Sequence, residues 1–260
     1  LRQDGKARGL SSVVHVPTGA RLDRGVGIVS HYRVFTAGKR YGTAAWTWPG
    51  TAALRPDGAV QAAWPEAADR PFEMTVLYRW VDPQALDVET TVTARADLTG
   101  FESFLASYFD EAFPLPYVLA CDRGREAERS FLLGRKRYGN WLMFTRTGDE
   151  HAERMIRDGR WLLEPHPVDW TILRRLAAPL CIRRGQANGL AVILMAPGED
   201  CFAVAMPYEG ESHYSLYLSL FGRDLKTGET AKARVRFVVA ADISDEQVYR
   251  MYQQYTRDLR

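Results

Sequence analysis

From Phe72 to Arg95 the side chains alternate along the chain, and this period of two constrains the fold more than any other feature. Phe72, Met74, Val76, Tyr78 and Trp80 fall on one face of an extended chain, and Glu73, Thr75, Leu77, Arg79 and Val81 on the other. After Asp82-Pro83 the pattern resumes. Leu86, Val88, Thr90, Val92 and Ala94 alternate with Asp87, Glu89, Thr91, Thr93 and Arg95. Two such β-branched runs across a turn predict an antiparallel hairpin with one face buried. Pro56-Asp57-Gly58 predicts a second turn, between strands near 51–54 and 59–64.

Further strands are expected at 25–35, 41–48, 101–109, 115–121, 141–145, 189–196, 200–206, 213–221 and 230–240. The runs Gly189–Ala196 and Cys201–Met206 are apolar on both faces, as central strands covered on both sides would be. Helical signals are few. Residues 149–157 suit two turns. Ser244 with Gln247 forms a capping-box pattern that leads into Val248, Met251, Tyr252, Tyr255 and Leu259, an apolar stripe suited to docking on the body of the protein. With no repeat and no linker, residues 1–260 read as one all-β domain, a large antiparallel β-sandwich closed by a helix at about 244–258.

Composition narrows the function. The charges nearly cancel, 34 Lys+Arg against 32 Asp+Glu, which argues against a nucleic-acid partner held by bulk electrostatics. No apolar run reaches the ~18–20 residues of a membrane span. Cys121, Cys181 and Cys201 include no C-x-x-C pair and read as small buried hydrophobes. The chain starts at Leu1 without a recognisable signal sequence, leaving the compartment open between the cytoplasm and export after leader removal. The nucleophile-elbow, phosphate-loop, HExxH and dinucleotide-binding motifs are absent.

The chemistry concentrates in Tyr208–Phe221. Read as one extended strand, Tyr214, Leu216, Leu218 and Leu220 face a core, and Glu209, Glu211, His213, Ser215, Tyr217, Ser219 and Phe221 share the other face. Carboxylates, an imidazole, hydroxyls and an aromatic ring suit a sugar, which offers both hydroxyls and C–H faces. Glu209, Glu211 and His213 also suit a divalent ion in kind, but their spacing is not diagnostic; no metal or other cofactor is assigned. A second cluster holds His31 and Arg33 on one strand face, then Arg40, and Trp46 with Trp48 on another, a candidate carbohydrate platform or a sandwich core edge. Glu102 and Tyr108 lie in the aromatic strand after Gly100, and Arg160 follows a turn at Asp158-Gly159 and is expected to begin a short strand. Arg183-Arg184 reads as a solvated face.

The order of these features resembles the galactose mutarotase-like superfamily of β-supersandwiches, which includes the aldose 1-epimerases. The likeness rests on the early His31-Tyr32-Arg33 strand, the hairpin Phe72–Arg95, the stretch Phe101-Glu102-Ser103-Phe104, and Lys226-Thr227-Gly228-Glu229 before the last strand. It extends over nearly the whole chain up to the terminal helix. It implies a mono- or oligosaccharide on the concave sheet face, with a histidine as general acid and a carboxylate as general base. His213 or His31 would be the acid, and Glu211, Glu209 or Glu102 the base. Arg33, Arg40, Trp46, Trp48, Tyr108, Arg160, Glu209 and Tyr217 would hold the substrate. The alternatives are a polysaccharide lyase or glycosidase, and a non-catalytic sandwich used for interaction.

Overall fold

The computed structural model describes residues 8–122, 125–187 and 189–259. Two sheets form the sandwich, with a further two-stranded ribbon, Val14–His15 with Ala20–Arg21. The nine-stranded sheet runs, edge to edge, Arg125–Leu133, Leu115–Asp122, Leu176–Arg184, Leu190–Met195, Thr230–Ala241, Ala85–Ala94, Phe72–Asp82, Val60–Trp64 and Thr51–Leu54. The seven-stranded sheet runs Thr171–Leu173, Trp141–Phe144, Cys201–Pro207, Ser215–Leu225, Leu98–Tyr108, Ser30–Thr36 and Lys39–Arg40. Pairing is antiparallel throughout, except between Trp141–Phe144 and Thr171–Leu173.

The alternation decides which side chains meet. Met74, Val76, Val88 and Val92 from the larger sheet pack against Phe101, Leu105, Leu216, Leu218 and Leu220 from the smaller one, forming the inter-sheet core. The expected hairpins at 51–64 and 72–95 are present, with Leu54 opposite Val60 and Trp80 opposite Leu86. Leu190–Met195 is buried on both faces because a helix covers its outer side. That helix, α2 (Asp245–Asp258), starts with the Ser244–Gln247 capping box. Its Val248 and Tyr255 are sealed against Leu180, Ile182, Ile193 and Met195. All three cysteines are free and buried.

The outer face of the seven-stranded sheet has its own cover. The excursion after Trp141–Phe144 carries α1 (Glu150–Arg157), capped by Asp149, and a short 3-10 turn at Arg160–Leu162. Ile156, Trp161 and Trp170 from this segment pack on Phe35, Phe104, Met143, Ala203, Ala205 and Tyr217.

Several local expectations change. Residues 41–48 form no strand; Ala45–Thr47 is a 3-10 turn, so Trp46 and Trp48 do not share a strand face. Arg160 also begins a 3-10 turn rather than a strand. The strand expected from 213 begins at Ser215. Residues 209–214 are turns, with Tyr214 at φ +47°, so Glu209, Glu211 and His213 do not continue the face of Tyr217. Leu176–Arg184 is a strand that ends in the two arginines, and Arg183 is not solvated. It is fully buried and donates to the carbonyls of Phe113, Pro114 and Ser215, fastening that loop to the strand start. Burial without a carboxylate partner lowers its pKa to about 9.

Candidate functional site

A bulge separates the two residues of the early basic strand. Along Ser30–Thr36, His31 lies opposite Leu105 and Arg33 opposite Phe104, leaving Tyr32 as the extra residue. Leu105 points into the inter-sheet core and Phe104 to the outer face, so His31 and Arg33 point opposite ways. This corrects their expected common face and removes His31 from any exposed site. His31 is 1% exposed and bonds Ser103 Oγ through Nδ1 (2.7 Å) and Thr90 Oγ1 through Nε2 (3.1 Å). Trp64 lies edge-on to it. Burial lowers its pKa from 6.5 to about 3, so it is a neutral strut between the sheets rather than a proton donor.

On the outer face, by contrast, lies a cavity of about 410 Å³, within the ~300–1,000 Å³ range of small-molecule sites. Arg33, Phe104, Tyr108 and Tyr217 come from the strands beneath it. Trp161, His166, Val168 and Trp170 come from the covering segment, and Tyr32, Trp141, Pro167 and His213 complete the lining. The rings brace one another. Phe104 stacks on Tyr217 at 4.7 Å and meets Trp161 edge-on at 4.6 Å; Trp161 and Trp170 stand at 89°.

Glu211 fixes the imidazole of His213. One carboxylate oxygen contacts Nδ1 at 2.6 Å, and the other accepts the His213 backbone N–H at 2.8 Å. Trp141 meets the ring edge-on at 5.3 Å. Nε2 has no partner among the described residues, and His213 is half-exposed at the cavity. The dyad survives the loss of the expected strand because the turn brings the two side chains together within three residues.

Two tyrosines supply neutral hydroxyls. Burial pushes Tyr217 up to about 12, and its hydroxyl accepts from Ser215 Oγ at 2.7 Å. Tyr108 is pushed up chiefly by burial and then by Tyr217. Both therefore remain protonated near neutrality.

The other candidates serve the frame. Glu102 and Arg160 are both fully buried, with Glu102 Oε2 3.1 Å from Arg160 Nη1, and neither lines the cavity. Arg160 also grips Asp158 and donates to the Gly100 carbonyl at 2.9 Å. A Cβ at Gly100 would stand 2.9 Å from Arg160 Nη2, at a φ of +57°, so glycine makes this lock possible. Burial raises the Glu102 pKa against the opposing pull of Arg160. Arg40 donates to the carbonyls of Pro165 and Thr43, tethering the cavity wall. Trp46 stacks behind Tyr32 at 5.2 Å, while Trp48 packs on Trp64 and Phe72 at the core edge. Glu209 turns away and accepts from the Lys136 backbone. Among the described residues no three His, Cys, Asp or Glu side chains gather as a metal-holding group.

Of the residues singled out from sequence, Arg33, Tyr108, Tyr217 and His213 thus meet at one cavity, with Glu211 behind. Trp141, Trp161, His166 and Trp170 were not singled out. Their available signal was the density of tryptophan between 141 and 170, in a stretch with almost no regular periodicity.

No family model matches the chain, nor does any curated protein sequence. Solved structures do. The chain is similar to the alpha-N-acetylgalactosaminidase NagBb from Bifidobacterium bifidum, with a TM-score of 0.52 and 9% identity, over 87% of this chain and 33% of that one. It is also similar to the GalM/aldose epimerase homologue from C. elegans, with a TM-score of 0.45 and 9% identity, over 92% of this chain and 86% of that one. A third is the Slr1438 protein from Synechocystis sp. PCC 6803, with a TM-score of 0.44 and 12% identity, over 83% and 75%. At such identities these are likenesses of fold alone, and only that to NagBb is close enough to weigh. That likeness supports the architecture alone, a large β-sandwich.

Proposed function

We propose that the protein binds a saccharide in the cavity on the outer face of its seven-stranded sheet, with His213 as the group that exchanges protons with it. The observation that carries this reading is the His213–Glu211 pair at the rim of an aromatic-walled cavity. Tryptophan and tyrosine faces suit the C–H faces of a sugar ring, and protonated tyrosines and the open Nε2 suit its hydroxyls. Glu211 holds one ring nitrogen, which selects the tautomer and presents the other to a ligand. The fold likeness to a protein described as an alpha-N-acetylgalactosaminidase agrees with a carbohydrate ligand.

The cavity favours single-histidine acid–base chemistry over hydrolysis by two carboxylates. No Asp or Glu is among its lining residues, and Glu211 stands behind His213, so a pair flanking one glycosidic bond is not formed. Glu102, expected as a base, is committed to Arg160.

A thermal-shift screen with aldoses, methyl glycosides, uronates and oligosaccharides at millimolar concentration tests the reading. A ligand at ten times its Kd should raise stability by about 1.4 kcal/mol, or a few degrees. His213→Ala should weaken that ligand while keeping the melting temperature. The absence of a shift with every saccharide class would overturn the proposal.

A further inference from the structure

The cavity is short of acceptors in a specific way. Arg33 is 4% exposed and lines it, yet only one of its nitrogens is paired: Nη2 donates to the His166 carbonyl at 2.7 Å. Nε and Nη1 are buried without a partner. Two other lining residues, Trp161 and Trp170, also carry a buried indole N–H without a partner. All four orphans are donors, and two of them belong to a permanent cation. No carboxylate lines the cavity. On the same wall, Glu164 acts on Arg40, and Asp158 and Glu102 are taken by Arg160.

A buried guanidinium without a counter-ion is unfavourable unless something supplies one. The contrast within this molecule is direct, since buried Arg160 has two carboxylates and Arg183 has three carbonyls. We propose that the ligand supplies the missing acid: the cavity takes an acidic saccharide, a uronic-acid residue whose carboxylate pairs with Arg33. The inference rests on the saccharide reading above and narrows its substrate class.

The setting favours a carboxylate over a phosphate ester. The guanidinium carbon lies 5.0 Å from the Tyr32 ring centre and 5.2 Å from that of Trp161, so aromatic surface limits approach to its edge. A carboxylate brings one negative charge for one positive, and its two oxygens can take one orphan nitrogen together with the second hydrogen of Nη2, since Nε–H and the Nη1 hydrogens diverge. A phosphate dianion would keep a second charge that no lining side chain except a protonated histidine could neutralise. Because Nε and Nη1 are shielded from water, pairing requires a small outward turn of Arg33, or a shift of the 164–168 wall that holds its third nitrogen.

Calorimetric titration of the full chain at constant ionic strength tests this with defined probes: the methyl glycosides of glucuronate and galacturonate, their uncharged methyl esters, methyl glucoside and galactoside, and glucose 6-phosphate. One uronate glycoside should bind about 10- to 100-fold tighter than its own ester and its neutral counterpart. Arg33→Gln should bring the ratio of acid to neutral affinity close to one. The ester comparison uses the unaltered protein and decides the matter even if the variant folds poorly. Equal affinity for acid, ester and neutral glycoside would overturn the acidic-ligand inference and leave the saccharide reading intact. Tightest binding of glucose 6-phosphate would overturn the carboxylate assignment. Failure of every probe to bind, neutral ones included, would count against the saccharide reading itself.

Discussion

The two faces of the seven-stranded sheet treat buried polar groups in opposite ways. On the inner face, His31 has both ring nitrogens engaged, one from each sheet. On the outer face, Arg33, two residues along, has two nitrogens with nothing to donate to. One bulge residue divides them. Both side chains are almost fully buried, so burial alone does not separate a structural residue from a binding one. What separates them is whether the protein itself completes their hydrogen bonds.

Arg160 gives that comparison its largest expected effect, because it is an outer-face cation that is fully paired. Arg160→Ala should cost about 3–5 kcal/mol in denaturant unfolding by stranding the buried carboxylate of Glu102. A loss below 1 kcal/mol would break the distinction. His31→Ala comes next, at about 2–4 kcal/mol, since it leaves the Ser103 and Thr90 hydroxyls unpaired and a void beside Trp64.

The pH dependence of His31 sharpens the same point. Its folded pKa of about 3 lies below the ordinary 6.5, so between these values the unfolded chain binds a proton that the folded chain refuses. Its contribution to stability is complete above pH 6.5 and is lost as the pH falls toward 3, at about 1.4 kcal/mol per pH unit. Unfolding measured at pH 7 and pH 5 should show this loss in the native protein. The difference between the two pH values should be smaller in His31→Ala.

Smaller effects are expected where the partner is missing. Arg33→Met should leave stability unchanged or raise it by about 1 kcal/mol, because it removes a buried cation that the protein itself does not pair. His213→Ala should stay within about 0.5 kcal/mol in unfolding and still reduce saccharide affinity about tenfold. A melting temperature that fell sharply in either variant would assign these residues to the frame.

Much of the sandwich was legible because its strands alternate or are apolar throughout, as in Phe72–Asp82 and Leu190–Met195. Leu176–Arg184 was obscured by Pro179 and by the assumption that paired arginines face water. The site was less legible than the sheets for two reasons. A bulge reverses the facing of every later residue, and nothing in Ser30–Thr36 announces it. The covering segment, with Trp161, His166 and Trp170, follows no period, so its tryptophans are brought to the cavity by tertiary packing. The Glu211–His213 pair could be read despite the wrong local conformation, because two residues of separation keep such side chains within reach in a turn as well as a strand.

The indole N–H signals of the seven tryptophans offer the most direct test that the outer face is the saccharide site. In a ¹⁵N-resolved NMR titration with the best ligand from the thermal screen, Trp141, Trp161 and Trp170 should show saturable shifts. Trp48 and Trp64, packed on the inter-sheet core, should stay in place. Shifts of Trp48 and Trp64 equal to those at the cavity, or a bound ligand that moves none of the three outer-face signals, would contradict an outer-face saccharide site.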